Sequence, residues 1–131
     1  MTGARVLVVD DDVRFIRRAT VSLGSLAVIE CFPSGEDLLR YVRRWLPDVV
    51  VLSLLLDDHD GFQLLEELLS LDSSLQPYVL CATSGPASMT RVSPFAEWPV
   101  GTISRTAQLH QLRDAVQSAI ESREEVLAAV H

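Results

Sequence analysis

Three aspartates in a row, Asp10–Asp12, follow the apolar run RVLVV and have a clear capacity for chemistry. Adjacent carboxylates repel one another, and a divalent cation relieves that repulsion, since hard Mg²⁺ prefers oxygen ligands of this kind. A hydroxyl and a cationic side chain placed opposite the carboxylates could hold a phosphoryl group through hydrogen bonds and charge. The aspartates therefore direct attention to other polar residues that the fold could bring beside them.

Polar residues also end or follow three later apolar runs. Ser53 ends DVVVLS, Thr83 follows YVLCA, and Arg105 follows VGTIS. Ser53 stands out because leucines flank it where acidic chemistry would need a carboxylate, and the nearest acids, Asp57 and Asp58, come one loop later. The chain thus offers carboxylates, two hydroxyls and a guanidinium at the ends of four runs.

The apolar runs alternate with segments of helical period, which predicts five strand–helix units. The predicted strands are 5–9, 27–32, 48–53, 78–82 and 100–104. The predicted helices are 13–23, a helix opened by a Ser34/Asp37 capping box and ending near 45, 61–71 capped by Asp60, and 107–129 capped by Thr106. Residues 84–97 are poorly patterned, and at most a short irregular helix is expected there.

Strands that are continuous apolar runs are typical of a parallel sheet covered on both faces. Right-handed crossovers then give an α/β, doubly wound (βα)5 sandwich with a five-stranded parallel sheet. Ligands of such folds bind at the carboxyl ends of the strands, where the polar residues lie. We expect one domain over 1–122, with 123–131 as an extension of the last helix.

The composition excludes several classes of function. The net charge of −7 argues against direct binding to nucleic acid or to an anionic membrane, and favours protein partners or cations. No apolar run reaches the length of a membrane span, and the N-terminus turns acidic too early for a signal peptide. Cys31 and Cys81 lie in apolar runs without metal-site spacing, so we expect buried free thiols and a cytoplasmic protein.

Three stretches, VLVVDDD, PDVVVLSLLLDDHDGFQLLEEL and GTISRTAQLHQL, resemble the receiver domains of two-component response regulators over residues 4–122. The resemblance implies a flavodoxin-like fold and a phosphorelay role. It implies that Asp10 and Asp11 are the acidic pair that binds Mg²⁺. Counting back from Asp60–Gly61 places Ser53 where the family has its phospho-accepting aspartate.

The other expected positions of the phosphoryl pocket also follow from the resemblance. Thr83 corresponds to the switch hydroxyl, with Ala82 as the alternative if the register of the fourth strand differs by one. Arg105 stands where the family has a lysine. Thr102 stands at the switch position, where the family often has an aromatic residue.

The departures from the family pattern all concern phosphoryl chemistry. Transfer from histidine to aspartate needs a carboxylate nucleophile, and a serine hydroxyl is un-ionised at neutral pH. Loss of that carboxylate also removes an anionic Mg²⁺ ligand, so Asp10 and Asp11 are expected to be a weak metal site and no cofactor is required. Arg105 keeps the positive charge of the lysine, but its guanidinium group is planar and could bridge Asp10 or Asp11 in place of the metal.

The sequence therefore predicts a pseudo-receiver, which is not an enzyme and acts as a phosphorylation-independent protein-interaction module. Its expected partners are a signalling protein, an output domain or a second copy, which could cover the apolar residues Val126, Leu127 and Val130. One alternative is a phosphorylation-switched receiver whose acceptor was replaced by Ser53, naturally or by mutagenesis.

Three other hypotheses remain open at this point. A serine kinase could modify Ser53, or Asp57 could be a displaced acceptor. A phosphatase of the haloacid-dehalogenase type could use Asp10 as nucleophile and Asp12 as acid/base, although the chain lacks the later strand that should end in a metal-binding acidic pair.

Overall fold

A computed structural model describes residues 3–54, 56, 60–72, 74–85, 92–95 and 98–130. The strands are β1 (Arg5–Val9), β2 (Val28–Phe32), β3 (Val49–Ser53), β4 (Tyr78–Thr83) and β5 (Val100–Ser104). The helices are α1 (Val13–Leu23), α2 (Leu38–Trp45), α3 (Gly61–Leu69) and α4 (Leu109–Val130), and Ser93–Phe95 form a 3-10 turn.

The five strands form one parallel sheet in the order β2-β1-β3-β4-β5. This confirms the predicted α/β, flavodoxin-like fold. β3 is buried at all five positions, because it lies in the middle of the sheet with helices over both faces. The polar residues that end β3 and β4, or that directly follow β1 and β5, consequently lie at one edge, the carboxyl edge of the sheet.

Two apolar cores lie on opposite faces of the sheet. One core contains Phe15 and Ala19 of α1 together with Val116 and Ile120 of α4. The other contains residues of α2 and α3, including Val42, and residues of β3 that point the other way. No helix in the described ranges is long and apolar enough to cross a membrane.

Several predicted boundaries were wrong for local reasons. The α2 capping box does not form: Ser34 Oγ accepts from the backbone N–H of Glu36 at 2.9 Å, and Asp37 has φ of 58° with no side-chain cap. α4 begins at Leu109 rather than at residue 107, because Ser104 and Thr106 close a turn through their hydroxyls at 2.9 Å. α3 ends at Leu69 instead of residue 71, and β4 continues through Thr83.

A contact near the end of α4 was not predicted from the sequence. Arg123, assigned from the sequence to an extension, is 6% exposed and donates to the carbonyl of Ser74 at 3.4 Å. This residue therefore packs against the folded body, whereas Val126 is 43% exposed. The proposed boundary at residue 122 stays a prediction. The hypothesis of a displaced acceptor concerns Asp57, which lies outside the described residues.

Candidate functional site

The register of the sheet sets Asp10 and Ser53 side by side at the carboxyl edge. Val9 of β1 pairs with Leu52 of β3, so Asp10 follows at the level of Ser53. Side chains alternate between the two faces of a sheet, so both residues lie on the face that carries the core under α1 and α4. Asp10 is completely buried and Ser53 is 1% exposed.

The turn from β1 into α1 fixes the Asp10 carboxylate. Its Oδ1 accepts the backbone N–H of Asp12 at 2.8 Å, and the N–H of Asp10 donates to the Phe32 carbonyl at 3.1 Å. Asp12 then caps α1, with its own Oδ1 accepting the N–H of Arg14 at 2.9 Å. The consecutive acids therefore differ in role. Asp10 faces the interior, whereas Asp12 caps the N-terminus of α1.

Arg105 joins Asp10 and Ser53 through one guanidinium group. Nη1 donates to Asp10 Oδ2 at 2.7 Å and to Ser53 Oγ at 2.7 Å, and Nη2 donates to Asp10 Oδ1 at 3.2 Å. Nη2 also lies 3.5 Å from Asp12 Oδ2. The guanidinium thus makes a bidentate contact with a buried carboxylate, and the opposite charges strengthen both hydrogen bonds.

Three contacts hold Arg105 in this position. Its backbone N–H donates to the Thr83 carbonyl at 2.9 Å, which extends the β4–β5 ladder by one residue. Arg18 Nη1 donates to the Arg105 carbonyl at 3.0 Å, and Arg18 Nη2 donates to the Ala107 carbonyl. The guanidinium carbon of Arg105 lies 5.3 Å from the centre of the Phe15 ring, within the range of a cation–π contact.

Sequence reasoning missed Arg18 and Phe15 as parts of this site. Phe15 lies in the core under α1 and α4, and its additional contact with a cation depends on the tertiary structure. Arg18 carried a signal that could have been used, because it is a basic residue three positions after Phe15, on the flank of the buried stripe of α1.

Burial and charge act on Asp10 in opposite directions. Burial raises the pKa of the Asp10 carboxyl, while the N–H of Asp12 and the charge of Arg105 lower it, and the net shift is upward. The pKa of Asp12 moves the other way and lies below its ordinary value, chiefly because the carboxylate accepts the N–H of Arg14. Arg105 is therefore the counter-ion that offsets part of the unfavourable burial of Asp10.

This donor set fits Mg²⁺ poorly. Both oxygens of Asp10 already accept hydrogen bonds from Arg105, and Ser53 offers a neutral hydroxyl where a carboxylate would supply charge. A guanidinium within bonding distance of the would-be ligands also repels a divalent cation. The described residues contain no group of three or more histidine, cysteine or acidic side chains that could hold a metal ion. Weak Mg²⁺ binding by Asp10 and Asp11 stays a prediction.

The switch hydroxyl and the switch position lie elsewhere in the sheet. Ser53 pairs with Ala82, and Thr83 pairs with Ser104. Ala82 shares the face of Ser53, whereas Thr83 has the opposite parity, and its Oγ1 donates to the Ile103 carbonyl at 3.4 Å. The structure thus brings Asp10, Ser53 and Arg105 together and turns Thr83 away. Thr102 pairs with Cys81 inside the β4–β5 ladder and is half-buried.

One curated relative is similar to the chain over most of its length. The chain is 27% identical over 118 residues to BvgA of Bordetella pertussis, described as a positive transcription regulator of virulence factors; the match covers 88% of the chain. The chain spans about half the length of this relative, 56%.

Solved structures show the same fold at low sequence identity. The signal receiver domain of a Luxo repressor protein from Vibrio parahaemolyticus has a TM-score of 0.83 at 19% identity, with 98% of both chains covered. The BeF3-activated DrrB receiver domain has a TM-score of 0.73 at 22% identity, covering 90% of this chain and 97% of that one. The model of one family, described as the response regulator receiver domain, matches residues 6–117. Since that match spans most of the sequence, the chain belongs to the response regulator receiver domain family.

Proposed function

We propose that this receiver is a pseudo-receiver: a phosphorylation-independent protein-interaction module in signalling. The observation that carries the proposal is the contact of one guanidinium, that of Arg105, with both Asp10 and Ser53. A cation supplied by the chain sits where the acids of a working site would gather a metal ion. Receiver domains interact with partner signalling proteins or output domains, and we propose a partner of this kind for this chain.

The position of Ser53 supports the loss of acceptor chemistry. Its side chain is 1% exposed, so a phosphate donor has little access to the hydroxyl. Its oxygen also accepts a hydrogen bond from a cationic donor at 2.7 Å, which draws electron density away from the atom that would attack phosphorus. Both effects disfavour Ser53 as a nucleophile and as the target of a serine kinase.

A second candidate function is a phosphorylation-switched receiver in which Ser53 replaced the acceptor. The backbone that would present an acceptor is intact, because Asp10 lies beside residue 53 at the carboxyl edge. This candidate predicts that Ser53→Asp alone restores phosphorylation. Our proposal predicts instead that Arg105 pairs with the new carboxylate and keeps it inactive.

One phosphorylation assay separates these functions. The chain and its variants are incubated with acetyl phosphate and Mg²⁺, and hydroxylamine-labile phosphate is measured by intact mass. We expect none on the unaltered chain, little on Ser53→Asp, and clear labelling on Ser53→Asp/Arg105→Lys. The matched control is Ser53→Asp/Arg113→Lys, in which the exchanged arginine is exposed on α4. Labelling of the unaltered chain would overturn the proposal.

The haloacid-dehalogenase alternative gains no support from the site geometry. Its nucleophile would be Asp10, which is completely buried and in contact with Arg105 through both oxygens. Receiver domains are generally non-enzymatic signalling modules, and we propose the same for this chain. The absence of direct nucleic-acid binding and a cytoplasmic location, both expected from the composition, complete the proposal.

A further inference from the structure

An exposed tryptophan, Trp98, lies beside the C-terminal end of α3. Its side chain is 50% exposed, although tryptophan is highly buried in most proteins. The backbone on both sides is held by hydrogen bonds. The N–H of Trp98 donates to the Phe95 carbonyl at 2.9 Å, and its carbonyl accepts the N–H of Val100 at 2.7 Å. The Pro99 carbonyl accepts the N–H of Val79 at 2.9 Å, which ties the segment to β4. The fold therefore holds this large aromatic ring at the surface.

Trp98 forms one wall of a small pocket, which we name the Trp98 pocket. Its other described lining residues are Glu66 and Leu69 of α3, Ser70 directly after that helix, and Phe95. Leu69 is 5% exposed, and Phe95 packs against the core that contains it, so part of the lining is apolar. The volume is about 160 Å³. Such a space holds a single side chain rather than a helix, which is about 10 Å across.

Glu66 brings a carboxylate to the Trp98 pocket. Its side chain is exposed, and no ion pair joins it to a base in the described part of the chain. The hydroxyl of Ser70 is already used, because its Oγ donates to the Glu66 carbonyl at 2.8 Å. Among the described lining residues, the Glu66 carboxylate is therefore the charged group that a ligand would meet.

The charges on the surrounding elements are predominantly negative. α3 contains two acids, Glu66 and Glu67, and no base. Neither the 3-10 turn Ser93–Phe95 nor the segment Trp98–Val100 contains a charged side chain. A second groove of about 420 Å³ adjoins the pocket at Glu66, and there the two glutamates share the described lining with one base, Arg43. Acids thus outnumber bases around the pocket, as they do in the whole chain, whose net charge is −7.

These features define the chemistry of a suitable occupant. An apolar side chain would fill the pocket but would cover the Glu66 carboxylate without pairing its charge, which is unfavourable. An acidic side chain would be repelled by that carboxylate. A basic side chain meets both demands, because its aliphatic part can pack on Leu69 and Phe95 while its charged end reaches the Trp98 ring and Glu66.

We propose that the Trp98 pocket binds an arginine side chain of a partner protein. Arginine fits better than lysine, because a planar guanidinium can stack on the indole ring while its N–H groups donate to the carboxylate. The inference rests on the proposed function and deepens it, since it gives the interaction module a surface and a partner with a basic side chain. Trp98 lies just before the amino end of β5, so this surface is separate from the ion pair of Arg105 at the carboxyl edge.

The test is an NMR titration of the isotope-labelled full chain with the capped peptide acetyl-Gly-Arg-Gly-amide. The peptide is added up to about 50 mM, because a single cation–π contact supports only weak binding. We expect saturable shifts of the Trp98 indole N–H and of the Ser70 amide. The citrulline peptide has the same shape without the charge, and it is expected to bind about fivefold or more weakly. The lysine peptide should also bind more weakly than the arginine peptide.

Variants assign the binding to the two groups that the proposal names, with the Ser70 amide as the common readout. Glu66→Gln is expected to weaken binding about twofold to fivefold. Trp98→Ala is expected to weaken it about fivefold or more, and Trp98→Phe should retain part of the affinity because an aromatic ring remains. Glu124→Gln, at an exposed glutamate of α4, is the matched control and should leave the affinity unchanged.

Three results would overturn the proposal. They are shifts that do not saturate, equal binding of the citrulline or the lysine peptide, and an effect of Glu124→Gln as large as that of Glu66→Gln. The phosphorylation assay of Ser53 does not involve this pocket. A failure of the arginine site would therefore leave the proposed function standing, and a failure of the proposed function would show separately in that assay.

Discussion

Arg105 and Asp10, which are 95 residues apart in the sequence, form a bidentate ion pair. Nη1 lies 2.7 Å from Oδ2, and Nη2 lies 3.2 Å from Oδ1. The carboxylate is completely buried, and the guanidinium side chain is 18% exposed. Burial of one charge is tolerated here because the other completes its hydrogen bonding.

Arg105→Ala is expected to destabilise the fold strongly at neutral pH. The variant leaves the buried Asp10 without its cation, which lowers the free energy of unfolding by about 3–5 kcal/mol in comparable cases. Asp10→Asn/Arg105→Met is expected to lose less, because neither partner is then left as an unpaired charge. Urea unfolding measures both. Arg14→Ala is the control, with a side chain 90% exposed, and a loss as large as that of Arg105→Ala would contradict the prediction.

Asp10 is expected to make the free energy of unfolding depend on pH. Because burial raises its pKa in the folded state, folding favours the protonated carboxyl. Its contribution to stability is therefore full below its ordinary pKa and is lost as pH rises through the raised folded value. Asp10→Asn should remove the loss of stability in urea unfolding that begins as the pH rises above the ordinary pKa of an aspartate, about 4.

Asp114→Asn is the matched control, because it makes the same substitution at an exposed position of α4. If the unaltered chain instead gained stability relative to Asp10→Asn as pH rose, Arg105 would outweigh burial and the pKa of Asp10 would be lowered.

The two cysteines are expected to differ in reactivity. Burial raises the pKa of the Cys81 thiol to about 12, and Cys81 is completely buried. Cys31 also has a raised pKa, again from burial, but its side chain is only half-buried. At pH near 8, iodoacetamide should label Cys31 first and Cys81 only after unfolding, as read by intact mass. Cys31→Ser should take no label in the native state, and rapid native labelling of that variant would refute the prediction.

Gly61→Ala is expected to destabilise the start of α3. A Cβ at this position would lie 2.5 Å from Leu54 Cα and 2.6 Å from the Ser53 carbonyl oxygen, and backbone atoms cannot move aside cheaply. Alanine normally stabilises a helix by about 1 kcal/mol relative to glycine, so a net loss of about 1–3 kcal/mol would show that the clash dominates. Gly85→Ala is the control, since among the described residues no heavy atom beyond its chain neighbours lies within 4 Å of its Cβ position.

The sequence predicted the sheet well because its strands are short apolar runs bounded by charges or prolines. The spacing from Asp60–Gly61 back to Ser53 was informative for a physical reason, since Gly61 packs against the backbone that leaves Ser53. The start of α1 was also readable, because Asp12 is a side-chain cap of a common type.

Other features depended on tertiary structure that local patterns do not encode. Whether Thr83 or Ala82 faces Ser53 depends on the register of β4, and a shift of one residue reverses the face of every side chain in a strand. The burial of Arg123 could not be read from the sequence, because its helix neighbours Glu121, Glu124, Glu125 and Val126 are exposed. The support that Arg18 gives to the Arg105 loop required two segments 87 residues apart to be placed together.

The attachment of Arg105 to the chain sets how the charge of Asp10 is balanced. A metal counter-ion must be captured from solution, so its occupancy follows the free ion concentration and can be stripped by a chelator. The guanidinium of Arg105, the residue that follows β5, has instead an effective concentration fixed by the fold, which no dilution or chelator changes. The charge of Asp10 is therefore balanced by a group of the chain itself as soon as the chain folds.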